Sequence, residues 1–281
     1  MRRAENTLRK FKTLYKLVVE YKNIGFLATS LYEYLKLRSS LNKSFIENLK
    51  GIFVFRLPNG LRAAVLADPK YLRTYVFTYD EIFVMDIYDR LRDFMPNEHD
   101  VVLDLGAFIG LYTLKHYRAE RIFAFEPNPI SYTLLRNNIR LNELENVKLF
   151  NYALWSQSGY MPYYEEEFLV GSSTLIPEWH KSLHMKKFMV KTISLDQLID
   201  QKIIPAYIDV AKIDIEGAEV EFVKGGEKSL SKGCINRMVM EVHKRVVNQS
   251  GFYNKLKELG FRVNYKISGY EMDIIYVIHI R

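Results

Sequence analysis

The chain has 281 residues, 48% hydrophobic and 26% charged, which suits one large domain with an appendage and is too apolar for a disordered chain. Its single cysteine, Cys234, excludes an intramolecular disulfide and a cysteine-based metal cluster. No apolar run reaches the ~18 residues of a spanning helix, and the basic start MRRAENTLRKFK lacks a signal peptide's apolar core and cleavage site, so a cytoplasmic protein is the default expectation.

The net charge of +7 is unevenly spread. Residues 1–50 hold 11 Lys and Arg against four acids, and the other 231 residues are neutral overall. Within 1–50, Phe11, Leu14, Tyr15, Val18 and Tyr21 recur at helical spacing among lysines, which predicts a basic amphipathic helix. Such a helix can lie on an anionic membrane surface, or pack on its own domain or a partner chain with a solvated lysine face. No nucleic-acid reading motif accompanies the basic residues.

Residues 51–95 read as an extension of the main domain. Two alternating apolar runs, 52–57 and 61–66, flank Pro58-Asn59-Gly60, which is hairpin chemistry. Residues 72–93 are rich in aromatics, expected in the core or a lid, and a helix is expected over 81–91. Pro96-Asn97 opens the main domain, 96–281.

From Asp100 onward strands and helices alternate. Strands are expected at 101–105, 121–126, 147–152, 210–215 and 238–243, with a closing pair at 261–267 and 274–280. Asn128 and Pro129 supply the favoured N-cap and first-turn residues for a helix to about residue 142. The pattern is α/β: a mostly parallel seven-stranded sheet with an antiparallel edge, preceded by the helical segment and hairpin. Residues 155–189 show no clear α/β unit and are read as an irregular insertion forming the acceptor wall.

The first core strand ends in VVLDLGAFIGLYT. Gly106 allows a turn with positive φ, and Gly110 allows close approach of helix and ligand. Dinucleotide folds use G-x-G-x-x-G to meet a pyrophosphate. Here the loop is D-x-G-x-x-x-G, with the carboxylate of Asp104 at its mouth. That acid would repel a pyrophosphate but suits the cationic end of S-adenosylmethionine. Glu126, twenty residues after Gly106, ends the second strand where an acid reaches ribose hydroxyls, and Pro127 turns the chain behind it. Ala153, past the third strand, leaves room for an adenine ring.

The blocks DLGAFIGLYTL, AFEPNP, NNIRLN, NYALWSQSG, SLDQL, KIDIEGAEVEFVKGG and MEVHK resemble, in order and spacing over about 100–244, those of the FkbM-type methyltransferases. The resemblance implies a Rossmann-like class I methyltransferase fold, S-adenosylmethionine as cofactor, and methyl transfer, usually to an oxygen of sugars and natural products. It implies cofactor roles for Asp104, Gly106, Gly110 and Glu126; Ala107, Pro127, Ala153 and Asp214 complete the expected cofactor-binding set. The family usually has Asn where this chain has Phe108, so a side-chain bond to cofactor is not expected there.

The fourth strand runs into Lys212, Asp214 and Glu216, expected on one strand face beside the methyl-donor pocket. Lys212 and Asp214 have a plainer reading as an internal salt bridge. The fifth strand ends in Glu241 and His243, which share a face. Methyl transfer rests mostly on alignment, but a hydroxyl acceptor needs a base, and His243 is the candidate. Asp214, Glu216 and His243 are thus the expected catalytic residues. With Glu241 they are metal-compatible types, but their spacing matches no local metal motif and no metal is expected. The expected function is O-methylation of a sugar hydroxyl on a glycan, glycolipid or related metabolite. Alternatives are another acceptor, or a non-catalytic adenosine-binding scaffold. The N-P-P-Y element of base methylation is absent: Ile130 follows Asn128-Pro129.

Overall fold

A computed structural model describes residues 51–167, 169–179, 185–269 and 271–280. The expected basic helix in residues 1–50 lies outside them. Residues 51–281 form one compact unit. Among the described residues no helix is long and apolar enough to cross a membrane.

The hairpin appears as expected: β1 (Ile52–Arg56) pairs antiparallel with β2 (Arg62–Leu66). Its tip is tied down by Asn59, whose amide donates to the Leu114 carbonyl at 2.8 Å. Helix α1 then runs Pro69–Tyr79 and widens into a π-turn, Asp80–Val84. This corrects the expected helix at 81–91. Asp68 accepts from the Lys70 amide and Pro69 follows it, so the helix starts about a dozen residues earlier, and Asp86 in the left-handed region ends it.

The main sheet follows after a 3-10 turn, Arg92–Phe94. Its elements are β3 (Val101–Leu105), α2 (Leu111–Lys115), β4 (Arg121–Phe125), α3 (Pro129–Leu141) and β5 (Val147–Phe150). Next come β6 (Ala153–Leu154), β7 (Gly159–Glu166), β8 (Met185–Ile193), α4 (Leu195–Asp200) and β9 (Ile208–Ile213). The chain closes with α5 (Glu219–Gly225), α6 (Glu227–Leu230), β10 (Ile235–His243), α7 (Gln249–Glu258), β11 (Phe261–Ser268) and β12 (Met272–His279).

Seven strands form one sheet in the order β11-β12-β10-β9-β3-β4-β5. All neighbours pair parallel except β12, which is antiparallel to both β10 and β11. The mostly parallel sheet with its antiparallel terminal pair stands as read, with β12 slotted inside the edge. From β3 the chain goes out to β4 on one side, and β9 lies on the other, so a crevice opens beyond the β3 carboxyl end. Leu103, Leu105, Ala211 and Ile213 are fully buried because helices cover both faces of these parallel strands.

Two further expectations change. Within 155–189, the described residues 159–166 and 185–189 are regular: β7 and β8 (Met185–Ile193) form, with β6, a separate three-stranded sheet. The fourth main strand starts and stops two residues early, at Ile208 and Ile213. Asp214 and Glu216 therefore sit on the turn beyond it, with Glu216 at φ 51° and Gly217 at φ 96°, and not on one strand face with Lys212.

The NNIRLN block has a structural purpose. Asn138 on α3 accepts from the Ala64 amide at 2.6 Å and donates to the Ala64 and Ile109 carbonyls. Asn142 treats Arg62 likewise. The backbone groups that β2 leaves unpaired are satisfied by these two amides.

Candidate active site

The turn after β3 is shaped by backbone contacts. The Gly106 and Ala107 amides both donate to the Phe125 carbonyl, at 3.1 and 3.0 Å. Gly106 has φ 74°, and a Cβ there would lie 1.8 Å from the Asp214 carbonyl oxygen, so only glycine fits. Gly110 also has positive φ, but its absent Cβ would meet Leu135 at 2.5 Å. Gly110 thus packs α2 against α3 and does not line the cleft.

Asp104 is also behind the wall. It is completely buried, accepts from the Thr113 hydroxyl at 2.7 Å, and lies 3.6 Å from the Lys212 ammonium. The expectation that it presents a carboxylate at the loop mouth is corrected: its strand position points it beneath the turn. Lys212 braces the turn from below, donating to the Gly106 and Leu105 carbonyls at 2.7 and 3.2 Å. Burial opposes its charge, but Asp214 and Asp104 outweigh that and raise its pKa. The salt-bridge reading holds, with Lys212 3.4 Å from Asp214.

Glu126 stands at the end of β4. Its two oxygens accept from the Phe108 and Asn128 amides, each at 2.8 Å. Burial pushes its carboxyl up to about 8 despite these two bonds. Phe108 adopts φ 51°, where Asn, Asp or Gly is normally favoured; here its ring stacks on Tyr71 at 6.1 Å.

Gly106, Ala107, Glu126, Pro127 and Ala153 line one side of a cleft of about 460 Å³, within the size range of small-molecule sites. Asp214, Glu216, Glu241 and His243 line the other. His243 Nδ1 lies 2.8 Å from Glu219 Oε1, and its Nε2 lies 3.4 Å from Glu216 Oε2. Glu219 also accepts from the Gly217 amide at 3.0 Å, so it fixes both the turn and the imidazole. Burial alone would lower the His243 pKa, but Glu219 and Glu216 raise it well above the ordinary imidazole range. Ligating atoms of Asp214, Glu216 and His243 lie within 4.8 Å of one another, a set that residue types alone had suggested but spacing had not.

Two contributors, Tyr88 and Glu81, come from residues that sequence reasoning did not place here, and a third, the segment 169–175, lies in the stretch read as the acceptor wall. Tyr88 is buried, with its hydroxyl 2.5 Å from Glu241 and 3.1 Å from Asp214. One phenolic proton cannot serve two ionised carboxylates, and burial with the nearby Asp214 and Glu81 holds the Glu241 carboxyl well above its usual value. Glu81, on the π-turn, lines the same side and is pushed up to about 8 by burial, then by Asp214 and Glu216. Across the cleft, the segment 169–175 is tied to α1 through the Gly171 amide and Thr74 hydroxyl at 3.1 Å. It is tied to the Glu216 carbonyl through Thr174 at 2.6 Å. The N-cap at Asp68-Pro69 was the sequence signal that could have located α1, and nothing local marked Tyr88 or Glu81.

Comparison with known proteins matches residues 104–263 to the methyltransferase FkbM domain, more than half of the chain. Methyltransferase sdnD of Sordaria araneosa is 33% identical, over 53% of this chain and 68% of that protein. The hexuronic acid methyltransferase AglP of Haloferax volcanii is 32% identical, over 52% of this chain and 57% of that protein. The chain thus spans about three-fifths to two-thirds of the length of these two relatives. A crystal structure of a methyltransferase FkbM from Methylobacillus flagellatus superposes with a TM-score of 0.49 at 14% identity, over 72% of this chain and 52% of that one. The chain belongs to the FkbM methyltransferase domain family and is an S-adenosylmethionine-dependent methyltransferase.

Proposed function

We propose that the protein methylates a hydroxyl oxygen, on a sugar of a glycan, glycolipid or related metabolite. The observation that carries this reading is the Glu219–His243–Glu216 chain in the cleft. A carboxylate acceptor is already a nucleophile and needs no base, whereas a hydroxyl must lose its proton as the new bond forms. The sugar class draws support from one relative, named as a hexuronic acid methyltransferase.

The residues present fit the cofactor. The turn needs glycine at Gly106 because the Asp214 backbone crowds it, Ala107 and Pro127 keep the wall low, and Glu126 holds acceptor oxygens at the strand end. In this reading Glu126 takes the ribose hydroxyls and Ala153 lies against the adenine, with Asp214 toward the methionine end. Asp104 and Gly110 support the cofactor site from behind. S-adenosylmethionine, when bound, supplies an electrophilic methyl group on its sulfonium. Glu216 then receives the acceptor's proton. His243, held protonated by its two carboxylates, keeps Glu216 aimed and balances its charge, so it acts as a positioning residue and not as the base itself. Alignment of acceptor and methyl by the cleft walls contributes most of the rate.

Transfer from methyl-labelled cofactor into a sugar panel and cell extract tests the reading. The expected product carries label as an ether, stable to mild alkali. Label released as methanol by alkali would indicate an ester and overturn it. For the basic segment 1–50 we propose peripheral membrane contact; a chain lacking residues 1–40 is expected to lose binding to anionic vesicles, and unchanged binding refutes it.

A further inference from the structure

The cleft is lined by more acids than bases. Glu81, Glu126, Asp214, Glu216, Glu241 and Glu271 all line it. The basic side chains lining the cleft, among the described residues, are Lys212 and His243. Neither points its charge at an acceptor. Lys212 spends its protons on the Gly106 and Leu105 carbonyls, and His243 is spanned by Glu219 and Glu216. Glu81 comes from the π-turn after α1, outside the segment 104–263 that matches the family. It lines the cleft together with Asp214 and Glu216, and burial, then those two acids, favour its protonated form. An anion entering here would meet further carboxyl groups and no available cation.

We propose that the cleft accepts a hydroxyl-bearing substrate that is uncharged or amine-bearing around the methylated position, excludes carboxylated, sulfated and phosphorylated ones, and uses Glu81 as a specificity-determining residue. The inference rests on the hydroxyl-methylation reading and deepens it. Hydroxyls and ammonium groups donate hydrogen bonds to such a wall, and a carboxylate or phosphate cannot. An amine-bearing acceptor also supplies the positive charge that the wall lacks, letting Glu81 ionise. The same wall argues against a nucleic-acid acceptor, whose phosphates flank every sugar hydroxyl.

The test uses the full chain, methyl-labelled S-adenosylmethionine and a cell extract. Labelled product is digested to single residues with glycosidases, which leave sulfate and phosphate esters in place, and passed over an anion exchanger, which reads the charge of the methylated residue itself. Label is expected in the flow-through. Label retained as an acidic residue overturns the inference while leaving hydroxyl methylation standing. Absence of alkali-stable label removes the underlying reading, and the inference with it. Two variants locate the filter. Glu81→Gln removes the ionisable carboxyl, and Phe77→Lys, at an exposed position among the cleft-lining residues, adds a cation. Each is expected to raise the retained share of label at least five-fold, with cofactor affinity unchanged as the check on folding. A retained share equal to wild type in both variants overturns the role given to Glu81.

Discussion

The cofactor wall and the acceptor wall of one cleft are built on opposite plans. The cofactor wall is short-range and held by backbone hydrogen bonds. The Gly106 and Ala107 amides donate to the Phe125 carbonyl and the Phe108 amide to Glu126, across two adjacent parallel strands, and Lys212 beneath them is engaged by the turn. The acceptor wall is assembled from distant pieces. Tyr88 reaches Glu241 across 153 residues and Asp214 across 126, and its acids share too few protons and cations. A wall built on backbone contacts suits a ligand that never changes. A wall built on side chains brought from afar can discriminate among substrates.

The largest expected effect breaks the acceptor wall alone. Glu216→Gln should slow turnover by about 10²–10⁴-fold, the usual range for losing a general base, and leave cofactor affinity intact. Glu219→Gln should fall in the same range but also lower the His243 pKa, seen by imidazole NMR titration. Parallel loss of cofactor binding in either variant would mean the two walls are not separable.

Next comes the turn. Gly106→Ala forces a Cβ against the Asp214 carbonyl and should cost about 3 kcal/mol or more in urea unfolding. Gly60→Ala is the control: φ is also positive, at 88°, but nothing lies within 4 Å, so only the ~1–2 kcal/mol of the left-handed backbone is expected. Equal costs would show that crowding at the turn is not what selects glycine.

Glu126→Ala should weaken cofactor binding by roughly 1–3 kcal/mol, measured by titration calorimetry. Its pH dependence sharpens the assignment. Burial holds the carboxyl at about 8, whereas ribose hydroxyls donate best to the ionised form. Affinity should therefore rise as pH climbs toward 8 and level off above, and Glu126→Gln should flatten that rise. Stability runs the other way: the folded state favours the proton, so this group's contribution is present at low pH and is lost as pH rises from 4.5 through about 8. A wild-type affinity that is flat across this window removes Glu126 from the ribose.

The smallest effect is Phe108→Asn. Relief at φ 51° opposes loss of stacking on Tyr71, so stability should change by about 1 kcal/mol or less in thermal unfolding. A larger loss would make the aromatic stack part of the cofactor wall's support.

Legibility in the sequence followed range. The glycine turn, the Asn128-Pro129 cap and the hairpin at Asn59-Gly60 were readable because each is decided by residues within a few positions. Asp68-Pro69 carries the same cap signal as Asn128-Pro129, yet the helix was expected only at 81–91. The three-stranded sheet of β6, β7 and β8 was missed because its β6–β8 partners lie about forty residues apart with no tight turn to announce them. The strand before Asp214 ended early because Glu216 and Gly217 adopt left-handed backbone, which alternation alone does not reveal.

By itself the sequence determined the α/β alternation, the bend that selects glycine after the first core strand, and membership of the FkbM domain family, since strand period, turn sterics and motif spacing are local. Only the tertiary structure decided that Asp104 faces inward and that Lys212 is consumed by the turn. It alone brought Glu81 and Tyr88 from the N-terminal extension onto the acceptor wall. Those outcomes depend on burial and on charge–charge distances across more than a hundred residues, which a one-dimensional pattern does not contain.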